Sequence, residues 1–336
     1  MTLRQPESIA VIGAGSWGTA LAIQFARAQQ FTSLWGRAED EPERLASERR
    51  NQRYLPDVDF PDELMIEDEL EKAIQGNHDL LIAVPSHALR IMLEQVKPHL
   101  APEQRIAWAT KGFEQKTGLL PHQVAGDVLG TDRPLAVLSG PTFAREVGIG
   151  LPTAMTVAAT DPDFAAELAT RISNEQFRAY TSDDLAGVEV GGAVKNVIAI
   201  AAGISDGLGY GANTRVALIS RGLFEMTRLG EALGATQTTF MGLSGMGDLV
   251  LTCTDDQSRN RRMGLSLAAG RDVDEVAREI GQVVEGVYAA NAVHEVATKL
   301  GVEMPICEQV HMILNEGLAP EAAVGNLMSR EIGPET

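Results

Sequence analysis

The chain has 336 residues, of which 44% are hydrophobic and 22% charged, and its formal net charge is -18. This length predicts two domains, and the composition is that of a folded protein rather than a disordered one. The acidic balance and the 5% aromatic content argue against nucleic acid as a partner, because phosphates would be repelled and stacking side chains are few.

The first half alternates short β-branched runs with helical stretches, which is typical of βαβ units around a parallel sheet. A strand over residues 9–12 precedes a helix over 17–29 whose apolar residues recur on one side. Further strands are predicted over 31–35, 80–84, 106–109, 135–138, 154–159 and 177–180. Ligands bind beyond the carboxyl ends of parallel strands, so the loops there are candidate site walls.

The pattern changes near residue 183, after which strand signals nearly vanish. Helices are predicted over 188–209, 215–233, 273–280, 286–300 and 306–315. We therefore predict an α/β fold, with an N-terminal Rossmann-type, doubly wound, mostly parallel sheet over 1–183 and an all-helical domain over 184–336. The apolar faces of these helices could support a homodimer, or they could be used within the domain's own core.

A glycine-rich turn, Gly13-Ala14-Gly15-Ser16-Trp17-Gly18, joins the first strand to the first helix. In such turns the first glycine permits a tight bend, the second lets a pyrophosphate approach, and the third lets the helix pack closely. The helix N-terminus then offers free N–H groups to the phosphates. The turn therefore predicts a bound dinucleotide; a tight turn without a ligand is the alternative.

The end of the second strand bears on which dinucleotide is bound. Domains that prefer NAD usually carry Asp or Glu there, to bind the ribose 2′-hydroxyl. Here the strand ends in Trp35-Gly36-Arg37, and an arginine can accept a 2′-phosphate without a carboxylate to repel it. We expect NADPH to be used at least as well as NADH; a solvated surface arginine is the alternative.

Two segments of the second half place polar residues in apolar surroundings. Lys195 and Asn196 lie within an apolar helix, where a buried ammonium needs a partner or a lowered pKa. Asp248 follows two glycines in Gly245-Met246-Gly247, and Thr252 lies one turn further on. The alternatives are a lysine that snorkels to the surface and an aspartate that caps a helix.

The third segment is Ser258-Arg259-Asn260-Arg261-Arg262. Ser258 has the chemistry of an N-cap, which puts Arg259 and Asn260 in the first helical turn. Cations are disfavoured at a helix N-terminus unless an anion is bound there. The segment therefore predicts a phosphate site, with a basic surface patch as the alternative.

Several features exclude other classes of protein. Cys253 and Cys307 are far apart, and the six histidines show no ligand spacing, so we expect neither a disulfide framework nor a metal site. Residues 1–8 are polar and lead at once into a strand, which argues against a signal peptide. No apolar run is expected to cross a membrane. Together these features predict a cytoplasmic protein.

The combination of segments resembles the soluble, NAD(P)-dependent glycerol-3-phosphate dehydrogenases of bacteria, along nearly the whole chain. The matching segments are 11–18, 84–86, 109–112, 138–144, 191–196, 245–249, 258–260 and 283–286. The resemblance implies an oxidoreductase that reduces dihydroxyacetone phosphate to sn-glycerol 3-phosphate, for phospholipid biosynthesis, with NADPH/NADP or NADH/NAD as cofactor.

The resemblance also implies roles for individual residues. It places the proton-transfer residue at Lys195. From their own chemistry, Asn196 and Thr252 are expected to orient Lys195 or a substrate hydroxyl, and with Asp248 they complete the candidate catalytic group. Substrate contacts fall on Lys111, Gly140, Thr142, Lys195, Asp248, Ser258, Arg259 and Asn260. Cofactor contacts, besides Gly13, Gly15 and Gly18, fall on Ser16, Trp17, Arg37, Lys111, Ala144, Arg259, Val283 and Glu285.

The chemistry of these residues agrees with that role. A positioned ammonium at Lys195 can stabilise the charge that develops on the carbonyl oxygen and can donate the proton. Oxidation needs the neutral amine, and burial, Lys111 or Arg259 would lower its pKa, whereas Asp248 would raise it. The sequence leaves the net direction open.

Two rival functions are kept. A related two-domain hydroxyacid dehydrogenase would need a carboxylate site and would not require the 258–260 segment. The second rival is a non-catalytic protein that senses dinucleotides. This function would not explain the presence of Lys195, Asp248 and Arg259.

Overall fold

The computed structural model describes residues 8–332, which form two compact units. The N-terminal unit comprises residues 8–111 and Leu119–Glu189, and the helical unit comprises Gly112–Gly118 and residues 190–332. The polar segment that we predicted to lack a signal peptide lies, up to residue 7, outside the described residues. The predicted boundary after residue 183 precedes the change of unit at Glu189 by six residues.

The N-terminal unit alternates strands and helices. In chain order its elements are β1 (Ser8–Ile12), α1 (Ser16–Arg27), β2 (Phe31–Trp35), α2 (Pro42–Glu48), β3 (Arg50–Asn51), β4 (Leu55–Asp59), β5 (Leu64–Glu67), α3 (Leu70–Gln75), β6 (Asp79–Ile82), α4 (Ser86–Val96), β7 (Arg105–Trp108), α5 (Pro121–Leu129), β8 (Leu135–Ser139), α6 (Ala144–Ile149), β9 (Thr153–Ala159), α7 (Pro162–Ile172) and β10 (Phe177–Ser182).

Eight of these strands form one sheet in the order β10-β9-β8-β7-β6-β1-β2-β5. All neighbours are parallel except β8 and β9, which are antiparallel, so the predicted mostly parallel sheet is confirmed. The strand order reverses at β1, which has β2 on one side and β6 on the other. The turn after β1 therefore lies at a topological switch point, where ligands of such sheets bind.

Both faces of β1 are buried, which explains its continuous apolar sequence. Ile9 and Val11 belong to one core cluster, and Ala10 and Ile12 belong to another. Successive side chains of a strand point to opposite faces, so the two clusters lie on the two sides of the sheet. Helices cover both faces, as expected of a doubly wound fold.

The helical unit is built around one long helix. Its elements are α8 (Leu185–Gly207, which begins in the N-terminal unit), α9 (Ala212–Ala232), α10 (Asp248–Thr254), α11 (Arg259–Ala268), α12 (Val273–Ile280), α13 (Glu285–Leu300), α14 (Pro305–Glu316) and α15 (Pro320–Met328). The predicted loss of strands after residue 186 holds for the part of the chain that the structure describes.

We expected no apolar run long enough to cross a membrane, but helix α8 is long and apolar enough to do so. However, 94% of its most apolar window is buried inside the protein. Small residues make this burial possible: a Cβ at Gly203 would lie 2.1 Å from the carbonyl oxygen of Arg261, and one at Gly264 would lie 2.1 Å from that of Ile200. The backbones of α8 and α11 thus cross in direct contact, as in the core of a helical domain.

Candidate functional site

The turn between β1 and α1 meets the steric requirements of a phosphate-binding turn. Gly13 has a φ of +124°, and a Cβ there would lie 2.6 Å from the carbonyl oxygen of Ala83. A Cβ at Gly18 would lie 2.0 Å from the carbonyl oxygen of Gly13. At Gly15, in contrast, a Cβ would meet nothing within 4 Å. Two glycines therefore permit close packing, and the third leaves space in front of the backbone.

The N-terminus of α1 has the groups that a pyrophosphate needs. Gly15, which has no side chain, is the N-cap, so the N–H groups of the first turn are available to a ligand. The indole Nε1 of Trp17 is buried and has no acceptor within residues 8–332. Buried donors are nearly always paired, so this one fits a site completed by a bound molecule. A dinucleotide fits these residues.

Asn51 supports the turn, and the sequence reasoning missed it. Its Nδ2 donates to the carbonyl oxygen of Ala14 at 3.0 Å and to Oγ1 of Thr19 at 2.9 Å. The Thr19 hydroxyl donates to the same carbonyl at 3.3 Å. Asn51 lies on the two-residue strand β3, which carries no periodic pattern, so no sequence signal indicated its role.

Arg37 follows β2 as predicted, but the expectation that no carboxylate stands near it is wrong. The Arg37 backbone N–H donates to Oδ2 of Asp40 at 3.0 Å, and Nε of Arg37 lies 3.6 Å from the same oxygen. The Asp40 side chain is only 9% exposed, whereas that of Arg37 is 65% exposed. The turn beyond β2 therefore offers both a cation and a carboxylate.

Three predicted substrate contacts of the N-terminal unit lie together beyond β7 and β8. Nζ of Lys111 lies 3.5 Å from the carbonyl oxygen of Gly140, and the Thr142 hydroxyl donates to that oxygen at 3.2 Å. A Cβ at Gly140 would lie 2.9 Å from Cα of Met155, so this position requires glycine. Ala144, a predicted cofactor contact, begins α6 at the end of the same loop.

In the helical unit, a buried lysine is paired with a buried aspartate. Nζ of Lys195 on α8 lies 2.8 Å from Oδ1 of Asp248 and donates to Oγ1 of Thr252 at 2.9 Å. The Thr252 hydroxyl donates to the Asp248 carbonyl oxygen at 2.6 Å. All three residues are less than 9% exposed. The alternative of Asp248 as an N-cap is wrong, because Gly247 caps α10 and Asp248 is its first residue.

The glycines around this pair explain how the two charges meet. A Cβ at Gly191 would lie 2.4 Å from the carbonyl oxygen of Ser244, and one at Gly245 would lie 2.2 Å from that of Phe240. Leu243–Gly247 form a π-helical turn, a conformation that is frequent at functional sites. The glycines let this turn pack directly on α8, which places Asp248 beside Lys195.

The start of α11 has the composition of an anion site. Ser258 is its N-cap, and the hydroxyl oxygen accepts from the backbone N–H of Arg261 at 3.2 Å. Nη1 of Arg259 donates to Oε1 of Gln282 at 3.2 Å. The guanidinium of Arg261 lies 2.6 Å from the carboxylate of Asp206, so it is neutralised within the unit. A guanidinium and the backbone N–H groups of a helix N-terminus thus lie together at this helix end.

The side chain of Asn260 joins three elements. Its Nδ2 donates to Oδ1 of Asn196 at 2.8 Å, and its Oδ1 accepts from the backbone N–H of Gly286 at 2.9 Å. Asn196 in turn donates to the carbonyl oxygen of Gly192 at 3.3 Å. Two residues predicted to serve substrate and catalysis are therefore hydrogen-bonded to each other.

The predicted cofactor contacts Val283 and Glu285 flank the start of α13, whose N-cap is Val284. Burial raises the pKa of the Glu285 carboxyl to about 7, although the charge of Arg259 opposes this. Glu285 therefore titrates near neutral pH.

Two family models match the chain. That for the N-terminus of NAD-dependent glycerol-3-phosphate dehydrogenase matches residues 8–165, and that for the C-terminus matches residues 184–325. The chain belongs to this family.

Individual members of the glycerol-3-phosphate dehydrogenase family are similar to this chain over nearly its whole length. The NAD(P)+ enzyme of Methylococcus capsulatus is 55% identical over 328 residues, which are 97% of this chain and 98% of the relative. That of Shewanella sp. (strain W3-18-1) is 54% identical over 335 residues, 99% of both chains. The crystal structure of the Coxiella burnetii enzyme matches with a TM-score of 0.93 at 48% identity, covering 96% of this chain and 99% of that one. The predicted family and fold class are confirmed.

Glu189 is a further buried charge of this glycerol-3-phosphate dehydrogenase family member that the sequence reasoning missed. Its Oε1 accepts from Nε1 of Trp108 and from the backbone N–H of His122, both at 2.9 Å, and its Oε2 lies 2.6 Å from Nδ1 of His122. Burial lowers the pKa of His122, but the hydrogen bond and charge of Glu189 outweigh this and raise it. A carboxylate in the same apolar segment as Lys195 needs a partner for the same reason, so the signal was present.

The cysteines take no visible part in this site. Cys253 and Cys307 are free and buried, and burial raises the pKa of Cys253 to about 12. Between residues 8 and 332, no group of three or more His, Cys, Asp or Glu side chains is arranged to hold a metal ion.

Proposed function

We propose that this protein is an NAD(P)-dependent glycerol-3-phosphate dehydrogenase that reduces dihydroxyacetone phosphate to sn-glycerol 3-phosphate, for phospholipid biosynthesis. The observation that carries the proposal is the buried Lys195–Asp248 pair, at 2.8 Å, in the unit that also offers the anion site at the start of α11. A buried ammonium and a phosphate site match a substrate with one reacting carbonyl and one phosphate.

The cofactor is assigned to the glycine turn and its surroundings. Gly13, Gly15 and Gly18 with the N-terminus of α1 are proposed to hold the pyrophosphate, for which Gly15 leaves space. Further proposed contacts are Ser16, Trp17, Arg37, Lys111, Ala144, Arg259, Val283 and Glu285. The bound nicotinamide supplies the hydride. Arg37 could pair with a 2′-phosphate and Asp40 could accept from a ribose hydroxyl, which supports use of both NADPH and NADH.

Lys195 is assigned the proton. As the carbonyl carbon is reduced, the ammonium of Lys195 stabilises the negative charge on the oxygen and then donates a proton to it. The carboxylate of Asp248 favours the charged lysine, which is the form that reduction requires. Thr252 accepts from Lys195 and fixes the direction of its Nζ.

In the helical unit, the substrate is assigned to the Lys195–Asp248 pair and to the start of α11. In the N-terminal unit, it is assigned to the loop that contains Gly140. Ser258, Arg259 and the N–H groups of α11 are proposed to bind the phosphate, and the Asn260–Asn196 hydrogen bond to hold the start of α11 on α8. Lys111, Gly140 and Thr142 are proposed as further substrate contacts.

Cytoplasmic location is proposed from the two free cysteines, which suit a reducing compartment. A homodimer stays a prediction, which sedimentation of the wild type measures.

A spectrophotometric assay tests the proposal. Purified protein is mixed with NADPH or NADH and with dihydroxyacetone phosphate, and the same assay is run with phosphate-free dihydroxyacetone. We expect rapid oxidation of both cofactors with the phosphorylated substrate, formation of sn-glycerol 3-phosphate, and far slower oxidation without the phosphate. Equal rates with and without the phosphate, or no oxidation at all, would contradict the proposal.

A further inference from the structure

The helical unit contains a cavity of about 320 Å³ between α8, α9, α14 and α15. Its volume lies within the range of about 300–1,000 Å³ that is usual for small-molecule sites. Most of its wall is aliphatic, with contributions from Ile204, Leu218, Ile306, Val310, Ile313 and Leu327. The described residues that line it include none of the predicted substrate or cofactor contacts, so it is separate from the proposed active site.

The polar part of the wall is cationic. Arg221, Arg228 and Arg330 all line the cavity, and Glu303 is the exposed carboxylate among them. Arg228 donates to the Glu303 carbonyl oxygen at 2.9 Å, and Arg330 lies 3.1 Å from the Glu303 carboxylate. With three arginines and two carboxylates, Glu225 and Glu303, the wall has a formal charge of one positive unit. In a chain with a net charge of -18, such a local excess favours an anionic ligand.

The second carboxylate of the wall, Glu225, is used within the protein. It is 2% exposed, and its two oxygens accept from the backbone N–H groups of Ile306 and Cys307 at 2.7 and 3.1 Å. It thus serves as a cap for the start of α14, and burial raises its pKa. Both oxygens of this carboxylate are thus engaged with the backbone of α14, and the formal charge of the wall stays positive by one unit.

We propose that this cavity binds one molecule of an aliphatic carboxylate, with the alkyl chain against the aliphatic wall and the carboxylate at the arginines. The apolar wall removes the chain from water, which is the main favourable contribution to binding. The guanidinium groups supply planar, paired donors for a carboxylate. Charge complementarity selects this ligand over a neutral or cationic chain of equal length.

Calorimetric titration of the full-length protein with sodium decanoate, below its micelle concentration, tests the proposal. We expect saturable binding of one molecule per chain. Affinity should rise about threefold to fourfold for each methylene from octanoate to dodecanoate. Decylammonium, with the same chain and the opposite charge, should bind at least about tenfold more weakly.

Variants locate the binding. Ala217 is exposed and lines the cavity, so Ala217→Trp should fill its mouth, and Arg221→Glu should reverse one charge at the opening. Each should weaken decanoate binding at least about tenfold. The matched control is Val216→Trp, at the neighbouring position, which is 65% exposed and does not line the cavity within the described residues. Circular dichroism checks that all three variants fold.

Three outcomes overturn the proposal. The first is the lack of saturable decanoate binding to the wild type. The second is binding that neither Ala217→Trp nor Arg221→Glu weakens, which would put decanoate elsewhere. The third is a change of sedimentation mass in Ala217→Trp but not in Val216→Trp, which would make the cavity a contact between copies of the chain.

Discussion

The two units of the protein disclose their chemistry in different ways. In the N-terminal unit the signal is conformational, since Gly13 and Gly18 occupy positions where a Cβ would lie 2.6 and 2.0 Å from a carbonyl oxygen. In the helical unit the signal is energetic, since Lys195 is 7% exposed and has Asp248 at 2.8 Å. A glycine pattern indicates where a backbone must bend, whereas a buried charge indicates which reaction a site can perform.

This difference limits what each unit can teach. The glycine turn is shared by many dinucleotide-binding folds, so it predicts a ligand but not a reaction. The Lys195–Asp248–Thr252 group provides a proton donor of defined position and therefore a mechanism. The predictions below separate cofactor binding from chemistry and are ordered from the largest expected effect to the smallest.

Removal of the lysine should abolish the chemistry. Lys195→Met is expected to lower kcat by about 10²–10⁴-fold, because the proton donor and the positive charge at the carbonyl oxygen are both lost. The rate of NADPH oxidation with dihydroxyacetone phosphate measures this. Lys195→Arg, which keeps a charge beside Asp248, should be nearly as slow, and the exposed Lys299→Met should match the wild type. A Lys195→Met enzyme within tenfold of the wild type would exclude Lys195 as the proton donor.

Distortion of the glycine turn should instead weaken cofactor binding. Gly18→Ala puts a Cβ 2.0 Å from the carbonyl oxygen of Gly13, which forces α1 away from the turn. We expect the Kd for NADPH to rise about 10–100-fold, as for an overpacked site. Fluorescence titration without substrate measures it. Gly126→Ala on α5, where a Cβ meets nothing within 4 Å, is the matched control and should leave the Kd unchanged.

The side chain at position 37 should set the choice of cofactor. In Arg37→Asp a carboxylate replaces the cation that we propose for the 2′-phosphate, so kcat/KM for NADPH should fall about tenfold while that for NADH changes little. Steady-state rates with the two cofactors give the ratio. An unchanged ratio would assign Arg37 to the solvated surface, in keeping with its 65% exposure.

The smallest effect concerns Glu285 and pH. Its pKa is raised from 4.5 to about 7 in the folded protein, so the folded state holds the proton more tightly than the unfolded state. The contribution of Glu285 to the free energy of unfolding is fully present below about pH 4.5, and it is lost as the pH rises through about 7. Glu285→Gln removes that loss. Its Tm relative to the wild type should therefore be higher at about pH 8 than at about pH 5; an equal difference at both pH values would refute the assignment.

Much of the fold followed from local pattern, and the exceptions have physical causes. All seven strands predicted for the sheet are present. The strands at its centre, such as β1, β6 and β8, are buried and therefore show as continuous apolar runs. The edge strand β5 was missed because its apolar run, Leu64-Met65-Ile66, has only three residues, too few to show a strand pattern. The antiparallel direction of β9 was not predicted either, since strand direction depends on the path of the connection and not on composition.

Site residues were predictable where neighbouring residues in the sequence indicate their role. They were not predictable where the role depends on contact with a residue far away in the sequence. The nearness of Lys195 to Asp248 rests on the packing of Gly191 against Ser244, which a sequence alone does not reveal. The partnership of Glu189 with His122 spans 67 positions, and that of Asn51 with Ala14 spans 37. Asp40 was overlooked because it lies five residues beyond the strand end at Trp35, yet its carboxylate accepts a hydrogen bond from the backbone N–H of Arg37.

The separation of cofactor binding from proton transfer is tested most directly by cofactor affinity in the enzyme that lacks the lysine. NADPH is titrated into wild type and Lys195→Met without substrate, and fluorescence gives the two Kd values. Our account predicts that they agree within about twofold, because the glycine turn binds the dinucleotide and Lys195 serves only the reaction. A loss of NADPH binding in Lys195→Met, in a protein with native circular dichroism, would contradict it.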